Sequence, residues 1–257
     1  MSSRFDVRGP IAMLTFDRPE ARNALTWAMY DALVAACDRV DSDDSIRVMI
    51  IRGEGDAFAA GTDISQFREF RTGADGVAYE RRLGAVIDRL EAVRCPTLAR
   101  IQGPAVGGGC AIALACDLRV CTPRARFGVP IAKTLGNCLS LTSCARLVDL
   151  IGPSLLMDLI CTARLLDAGE ARAIGLVTRL VEEEALDATV EEVASLVASH
   201  APLTIGVTKA MLRRLHAHRR PPGDGSDDLI ALCYGSADFH EGVDAFVARR
   251  PPKWTGR

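Results

Sequence analysis

A chain of 257 residues, 49% hydrophobic and 25% charged, is long enough to bury one sizeable core, as a single domain or a domain with an appendage. A formal net charge of −2 gives no general attraction for nucleic acid or an anionic membrane surface. No apolar run reaches the length of a bilayer span, and the opening MSSRFDVRGP reads without the apolar core of a signal peptide.

Ile11 to Phe16 predicts a strand that Pro19 closes, and Asn23 to Val40 a helix with Leu25, Met29, Leu33 and Ala36 on one face. Arg47 to Arg52 reads as a short apolar strand and Gly53 to Asp56 as a loop. Ser65 to Arg71 opens a helix, Thr72 to Gly76 interrupts it, and Val77 to Val93 continues it up to Cys95-Pro96. Thr97 to Ile101 and Asp117 to Cys121 read as strands on either side of an apolar helical run, Cys110 to Cys116. Thr142 to Ile151 is a predicted helix ended by Gly152-Pro153, with Ser154 capping the next, Leu155 to Ala163. Asp167 to Ile174 follows, and Gly175-Leu176-Val177 stops it ahead of a strand. Leu186 to His200, Pro202 to Arg219 and Asp227 to Ala248 are helical, with Arg220 to Gly225 a loop. Periodicity alone gives an α/β class.

Nine cysteines lie in apolar segments without a CxxC pair, which reads as buried, reduced thiols of a cytosolic protein. The spacings among Cys110, Cys116 and Cys121 do not suit a metal site, so no metal is expected. The basic run of Arg213, Arg214, His216, His218, Arg219 and Arg220 reads as a solvated helix face and loop.

Two stretches carry chemistry. IQGPAVGGGCAIALACDLRV, Ile101 to Val120, passes through three glycines into a helix N-terminus, where free N–H groups and a positive dipole end can hold an anion or a developing oxyanion. The competing reading is a tight turn that packs a helix closely on a sheet. AFAAGTDISQF, Ala57 to Phe67, likewise leads from a strand through a small-residue turn toward a helix. Two such turns can each aim one N–H at the same point, the geometry of an oxyanion hole.

Together with DRPEARNAL (Asp17 to Leu25), FAAGTDI (Phe58 to Ile64), GPAVGGGC (Gly103 to Cys110), CDLRV (Cys116 to Val120), ARFGVP (Ala125 to Pro130) and DFHEGVDAFVARRPPKW (Asp238 to Trp254), the chain resembles the crotonase superfamily, or enoyl-CoA hydratase/isomerase family. The resemblance implies an α/β fold with a crotonase-like spiral of ββα units over residues 1–200 and a C-terminal helical trimerisation region over 201–257. It implies a cytoplasmic homotrimer or dimer of trimers acting on an acyl-CoA thioester. Coenzyme A would be part of the substrate, with no permanently bound cofactor, nucleic acid or membrane partner.

By the same resemblance the oxyanion hole uses the backbone N–H groups of Thr62 and Gly108, and Arg22, Ala24, Ala60, Asp63, Ile64, Gly107, Tyr79 and Arg249 belong to the substrate and CoA site. Arg22 falls in the family segment that contacts the CoA pyrophosphate and adenine, and Arg249 where a basic residue lies near a neighbouring subunit's adenosine. An ordinary surface arginine is the other reading of each. Asp63 also reads as a helix cap and Asp117 as a strand anchor.

The acid–base pattern departs from the family's. Where its hydratases carry two glutamates, this chain has Ala111 and Ile131, and neither transfers a proton. Glu80, beside Tyr79 and Arg81 on the helix that walls the family's acyl pocket, is the first choice for a substitute acid or base; a solvated helix face is its alternative. Leu135 to Ser140 resembles the GN turn of aroyl-CoA dehalogenases and hydroxycinnamoyl-CoA hydratase-lyases, with Cys138 where the dehalogenases place a nucleophilic aspartate. Cys138 is therefore a candidate nucleophile or a buried inert thiol. Tyr234 is a candidate to assist from the C-terminal helices. Two functions follow: a lyase or isomerase that stabilises a thioester enolate, or a catalytically reduced CoA-thioester binder.

Overall fold

A computed structural model describes residues 2–219 and 225–257. The loop expected from Arg220 to Gly225 lies, but for Gly225, outside them. The strands are β1 (Ser3–Arg8), β2 (Ile11–Phe16), β3 (Val48–Gly53), β4 (Thr97–Ile101), β5 (Pro104–Val106), β6 (Leu118–Cys121), β7 (Arg126–Gly128), β8 (Leu166–Asp167) and β9 (Arg179–Leu180). The helices are α1 (Trp27–Asp41), α2 (Gly73–Ala92), α3 (Gly108–Ala115), α4 (Ile131–Thr134), α5 (Leu141–Thr162), α6 (Ala168–Ala173), α7 (Leu186–Ser199), α8 (Pro202–Arg219), α9 (Asp227–Tyr234) and α10 (Ala237–Val247).

The chain forms two compact units. The first takes Met1–Thr62, Val86–Phe127 and Leu166–Ala217; the second takes Asp63–Ala85, Gly128–Leu165 and His218–Arg257. These units follow packing within one chain.

The first unit is built on a six-stranded sheet of order β1-β2-β3-β4-β6-β9. β1 and β2 are antiparallel, and each later neighbouring pair is parallel. A parallel strand inside a sheet is covered on both faces and needs a nearly unbroken apolar run, which β3 supplies as VMIIRG. On one face Val48, Ile50, Leu98 and Val120 pack against Leu186, Val190 and Ala194 of α7. Burying side chains of this size stabilises by about 1.5–3 kcal/mol each, relative to exposure. A smaller sheet has the order β5-β7-β8.

Three elements differ from expectation. β1, absent from the sequence reading, has no continuous apolar face; its partner β2 and the left-handed Gly9 (φ 56°) between them create it. α1 begins at Trp27 rather than Asn23, because Arg22 and Asn23 are left-handed (φ 51° and 55°) and Asn23 is a buried turn residue. α2 begins at Gly73 rather than Val77, because Asp75 Oδ2 accepts from the N–H groups of Arg71 and Thr72, both at 2.8 Å, and so caps the helix a turn early. The expected break at Gly152-Pro153 is present inside α5, where Gly152 is non-helical (φ 75°, ψ 161°). α6 opens with a capping box between Asp167 and Glu170.

The second unit gathers the start of α2 with α4, α5, α9 and α10. Its apolar centre is aromatic. The Phe67 and Tyr79 rings lie 4.9 Å apart, edge to face, and those of Tyr234 and Phe239 lie 4.8 Å apart. Gly76 lets α2 approach this cluster, since a Cβ there would overlap the Tyr234 ring.

Candidate active site

In the first unit, three extended segments run side by side. Leu25 and Thr62 form a parallel bridge, as do Ala59 and Ala105. Ala60 N–H donates to Arg22 O (3.0 Å), Leu25 N–H to Gly61 O (2.7 Å) and Val106 N–H to Ala59 O (3.0 Å). The two small-residue turns therefore lie against each other: a Cβ built on Gly107 would sit 3.5 Å from Gly61 Cα. Both glycines have positive φ, 108° at Gly61 and 53° at Gly107, which only glycine adopts at little cost. Gly108 is the first residue of α3, so its N–H has no acceptor within the helix. A Cβ on Gly108 would overlap the Tyr30 hydroxyl and sit 3.1 Å from Thr62 Oγ1. Arg22, Ala24, Ala60, Thr62, Gly107 and Gly108 thus fall on neighbouring segments of one unit.

Sequence reasoning passed over the residues that hold these turns. Tyr30 is fully buried, and its hydroxyl lies 2.8 Å from Thr62 Oγ1. Asn23 Nδ2 donates to Glu54 O (2.9 Å) and Ala57 O (2.8 Å), while its Oδ1 accepts from Arg18 N–H (2.9 Å). Gln102 Nε2 donates to Gly53 O and Gly55 O, each at 2.9 Å, and to Ala57 O at 2.8 Å. Two side-chain amides thus collect the carbonyls of the loop ahead of AFAAGTD. Asp117 does anchor strands: its Oδ2 accepts from Thr97 N–H (2.7 Å), Thr97 Oγ1 (2.9 Å) and Lys209 Nζ (2.6 Å).

In the second unit, Glu80 is buried, 5% exposed. Tyr234 O–H donates to its Oε1 (2.7 Å), Ser140 N–H donates to its Oε2 (3.3 Å), and Asn137 Nδ2 donates to the Tyr234 hydroxyl oxygen (3.0 Å). Burial pushes the Glu80 carboxyl up to about 7, against the pull of the Tyr234 and Ser140 hydrogen bonds. A carboxyl half-ionised near neutral pH is suited to giving and taking protons. Cys138 is half-buried, and its thiol is held protonated by a hydrogen bond with Cys233 and by burial. Tyr79 packs within the aromatic cluster, its ring 6.1 Å from that of Tyr234. Asp63 caps the short helix Ile64–Glu69, accepting from Ser65 N–H (3.1 Å) and Ser65 Oγ (2.7 Å). Arg249 is exposed and left-handed (φ 53°).

Among the described residues, no group of three or more His, Cys, Asp or Glu is placed to hold a metal ion, and no helix is long and apolar enough to cross a membrane.

The sequence profile described as enoyl-CoA hydratase/isomerase matches residues 6–257. The chain belongs to the enoyl-CoA hydratase/isomerase family. The 2,3-dehydroadipyl-CoA hydratase of Escherichia coli is 33% identical over 248 residues, covering 96% of each chain. Among solved structures, an enoyl-CoA hydratase/carnithine racemase from Magnetospirillum magneticum is 34% identical with a TM-score of 0.81, covering 100% of this chain and 96% of that one. A methylmalonyl-CoA decarboxylase in complex with 2-nitronate-propionyl-CoA is 25% identical with a TM-score of 0.90, covering 100% and 99%. The α/β class and the crotonase fold expected from the motifs are therefore the fold observed. Ala111 is half-buried on α3, and Ile131 is buried at the start of α4.

Proposed function

We propose that this member of the enoyl-CoA hydratase/isomerase family is a lyase or isomerase that stabilises a thioester enolate, with Thr62 and Gly108 N–H groups on the thioester oxygen and Glu80 as the proton carrier. The pairing of the two turns at Gly61 and Gly107, ahead of the α3 N-terminus, carries this reading. Donors aimed at a developing oxyanion are typically worth about 3–4 kcal/mol each in the transition state. Glu80 is preferred to Cys138 because its carboxyl is poised near neutrality, whereas the Cys138 thiol is held protonated. The likeness to a methylmalonyl-CoA decarboxylase supports C–C cleavage, because loss of CO2 from a malonyl-type thioester leaves an enolate without prior proton abstraction by the protein. CoA is then part of the substrate, with Arg22, Ala24, Ala60, Asp63, Ile64, Gly107, Tyr79 and Arg249 around it.

Exposed Leu203, Val207, Met211 and Leu215 on α8, and separately Leu229 and Leu232 on α9, support a homotrimer or dimer of trimers assembled through residues 201–257. Light scattering on the purified chain tests this. All nine cysteines are free, which suits a reducing, cytoplasmic compartment.

The deciding experiment is turnover of a panel of enoyl-, 3-enoyl- and malonyl-type CoA thioesters, with α-proton exchange of a saturated acyl-CoA in D2O as the readout of enolate formation. Glu80→Gln is expected to lower kcat by about 100- to 10,000-fold with little change in KM. An unchanged kcat removes Glu80 from the chemistry. Crotonyl-CoA hydration by the natural chain within roughly 1–1,000 per second would overturn the non-hydratase reading. The second reading, a CoA-thioester binder of reduced activity, is favoured by Ala111 and Ile131. Calorimetric binding with neither turnover nor α-proton exchange across the panel would select it.

A further inference from the structure

Next to the Glu80 carboxyl lies a pair of thiols that the chemistry above does not use. Two chain segments of the second unit meet there, the turn at 136–138 and the end of α9. Two hydrogen bonds join them in register. Cys233 S–H donates to Gly136 O (3.1 Å) and Asn137 Nδ2 donates to the Tyr234 hydroxyl (3.0 Å), and the Cys138 and Cys233 thiols lie close enough to shift each other's proton affinity. Cys138 and Cys233 are half-buried, as is Cys144, and Cys161 is exposed, so a small reagent can reach these residues, whereas Cys37, Cys95, Cys110, Cys116 and Cys121 are buried.

We propose that Cys138 and Cys233 form an oxidation site that small-molecule disulfides convert to an intramolecular disulfide, tying the turn that bears Asn137 to the helix that bears Tyr234. Bond formation requires the two sulfurs to meet at about 2.05 Å. Cys233 attacks first as the thiolate, because its hydrogen bond with Cys138 lowers its proton affinity while raising that of Cys138. The Cys233 sulfur displaces one half of the small disulfide as a thiolate, leaving a mixed disulfide. Cys138 then loses its proton, and its sulfur attacks the Cys233 sulfur and releases the second half. Two protein thiols are oxidised, and one small disulfide is reduced to two thiols.

Incubation of the native protein with oxidised glutathione tests this. Remaining thiols are blocked with N-ethylmaleimide in mildly acidic denaturant, where thiol–disulfide exchange is slow, followed by intact mass and tryptic mapping. The expected result is a monomeric chain with Cys233 linked to the fragment Thr134–Arg146, two of the nine thiols being lost to that link apart from any glutathione carried by the exposed Cys161. That fragment also holds Cys144, so cleavage between Leu139 and Ser143 in the mass spectrometer identifies the partner. Linkage to Cys144, intermolecular linkage, or glutathione adducts without an internal bond would overturn the proposal. Cys138→Ser should stop at the Cys233–glutathione adduct, Cys233→Ser should leave Cys138 unmodified, and Cys144→Ser should leave the link intact. Should a variant misfold, the fragment map of the natural chain decides alone.

Discussion

The turns around Gly61 and Gly107 and the surroundings of Glu80 are built on opposite principles. The first region is backbone: its proposed donors are N–H groups, its shape comes from positive-φ glycines, and side chains such as Asn23 and Gln102 serve to hold carbonyls in place. The second is mainly side chain. Glu80, Asn137 and Tyr234 come from positions far apart in the chain, and Ser140 adds a single N–H. A backbone site is insensitive to side-chain chemistry but intolerant of added volume. A side-chain network tolerates volume poorly too, but its main weakness is the loss of one polar atom from a buried chain of hydrogen bonds.

The largest effect that separates the two regions is expected at Gly108. Gly108→Ala adds one methyl group where the Tyr30 hydroxyl already stands, so turn or tyrosine must move. Under the proposed mechanism, misplacing one donor lowers kcat by about 100- to 1,000-fold. Tyr30→Phe removes the colliding oxygen, and the double variant should recover most of the loss. Steady-state kinetics of the two single variants and the double variant check it; no recovery would mean that the volume at Gly108 is limited by something other than Tyr30.

The next effect is a pH dependence of stability from Glu80. Its folded-state value, about 7, lies above the ordinary glutamate value of 4.5. Between those values the folded chain keeps a proton that the unfolded chain releases. The Glu80 contribution is therefore fully present below about pH 4.5 and is lost as pH rises through 7. The loss is on the order of 3 kcal/mol. Glu80→Gln does not titrate, so relative to the natural chain it should gain about that much between pH 5 and pH 8. Urea unfolding at the two pH values measures the difference; a constant offset would mean that Glu80 titrates as an ordinary carboxyl.

The two regions also differed in how far the sequence revealed them. The turns were legible because their residues are consecutive: AGTD and GGG declare a backbone conformation within a few positions. Glu80 was half legible. It lies next to Arg81 and Arg82, and the three charges together read as a solvated face. Yet Glu80 also stands three and seven residues before Leu83 and Ile87, on the buried stripe of α2, while Arg81 pairs with Asp227 and Arg82 is exposed. A step of one residue turns a helix by about 100°, so adjacent charges belong to different faces. Asn137 and Tyr234 were not legible as partners, because nothing local in either segment specifies a contact across 97 positions. Nor was β1, which exists only as the pairing partner of β2.

Tyr234→Phe sharpens the side-chain half of the comparison. It deletes a donor to Glu80 Oε1, so the carboxyl should titrate still higher and the pH profile of any Glu80-dependent turnover should move to higher pH. A hydrogen bond to a charged group is worth about 1.5–3 kcal/mol and a neutral one about 1. Destabilisation should therefore be greater at pH 8 than at pH 5, where Glu80 is protonated in the folded chain. Equal destabilisation at both pH values would mean that the bond does not depend on the Glu80 charge.

The smallest effect belongs to Thr62 and tests whether the first region is a backbone device. The Thr62 hydroxyl faces inward to Tyr30 at 2.8 Å. If Thr62 works through its N–H, Thr62→Val should leave the turn and its donor in place while removing one hydroxyl pair. The expected stability loss is about 1 kcal/mol, the net worth of an ordinary neutral hydrogen bond. Crossed with Tyr30→Phe, the two losses should couple, because either change alone breaks the same contact. kcat should stay within a few-fold of the natural chain, far from the drop expected for Gly108→Ala. A large fall in kcat with unchanged stability would mean that the Thr62 hydroxyl itself touches the reacting group. The first region would then rely on a side chain as the second does.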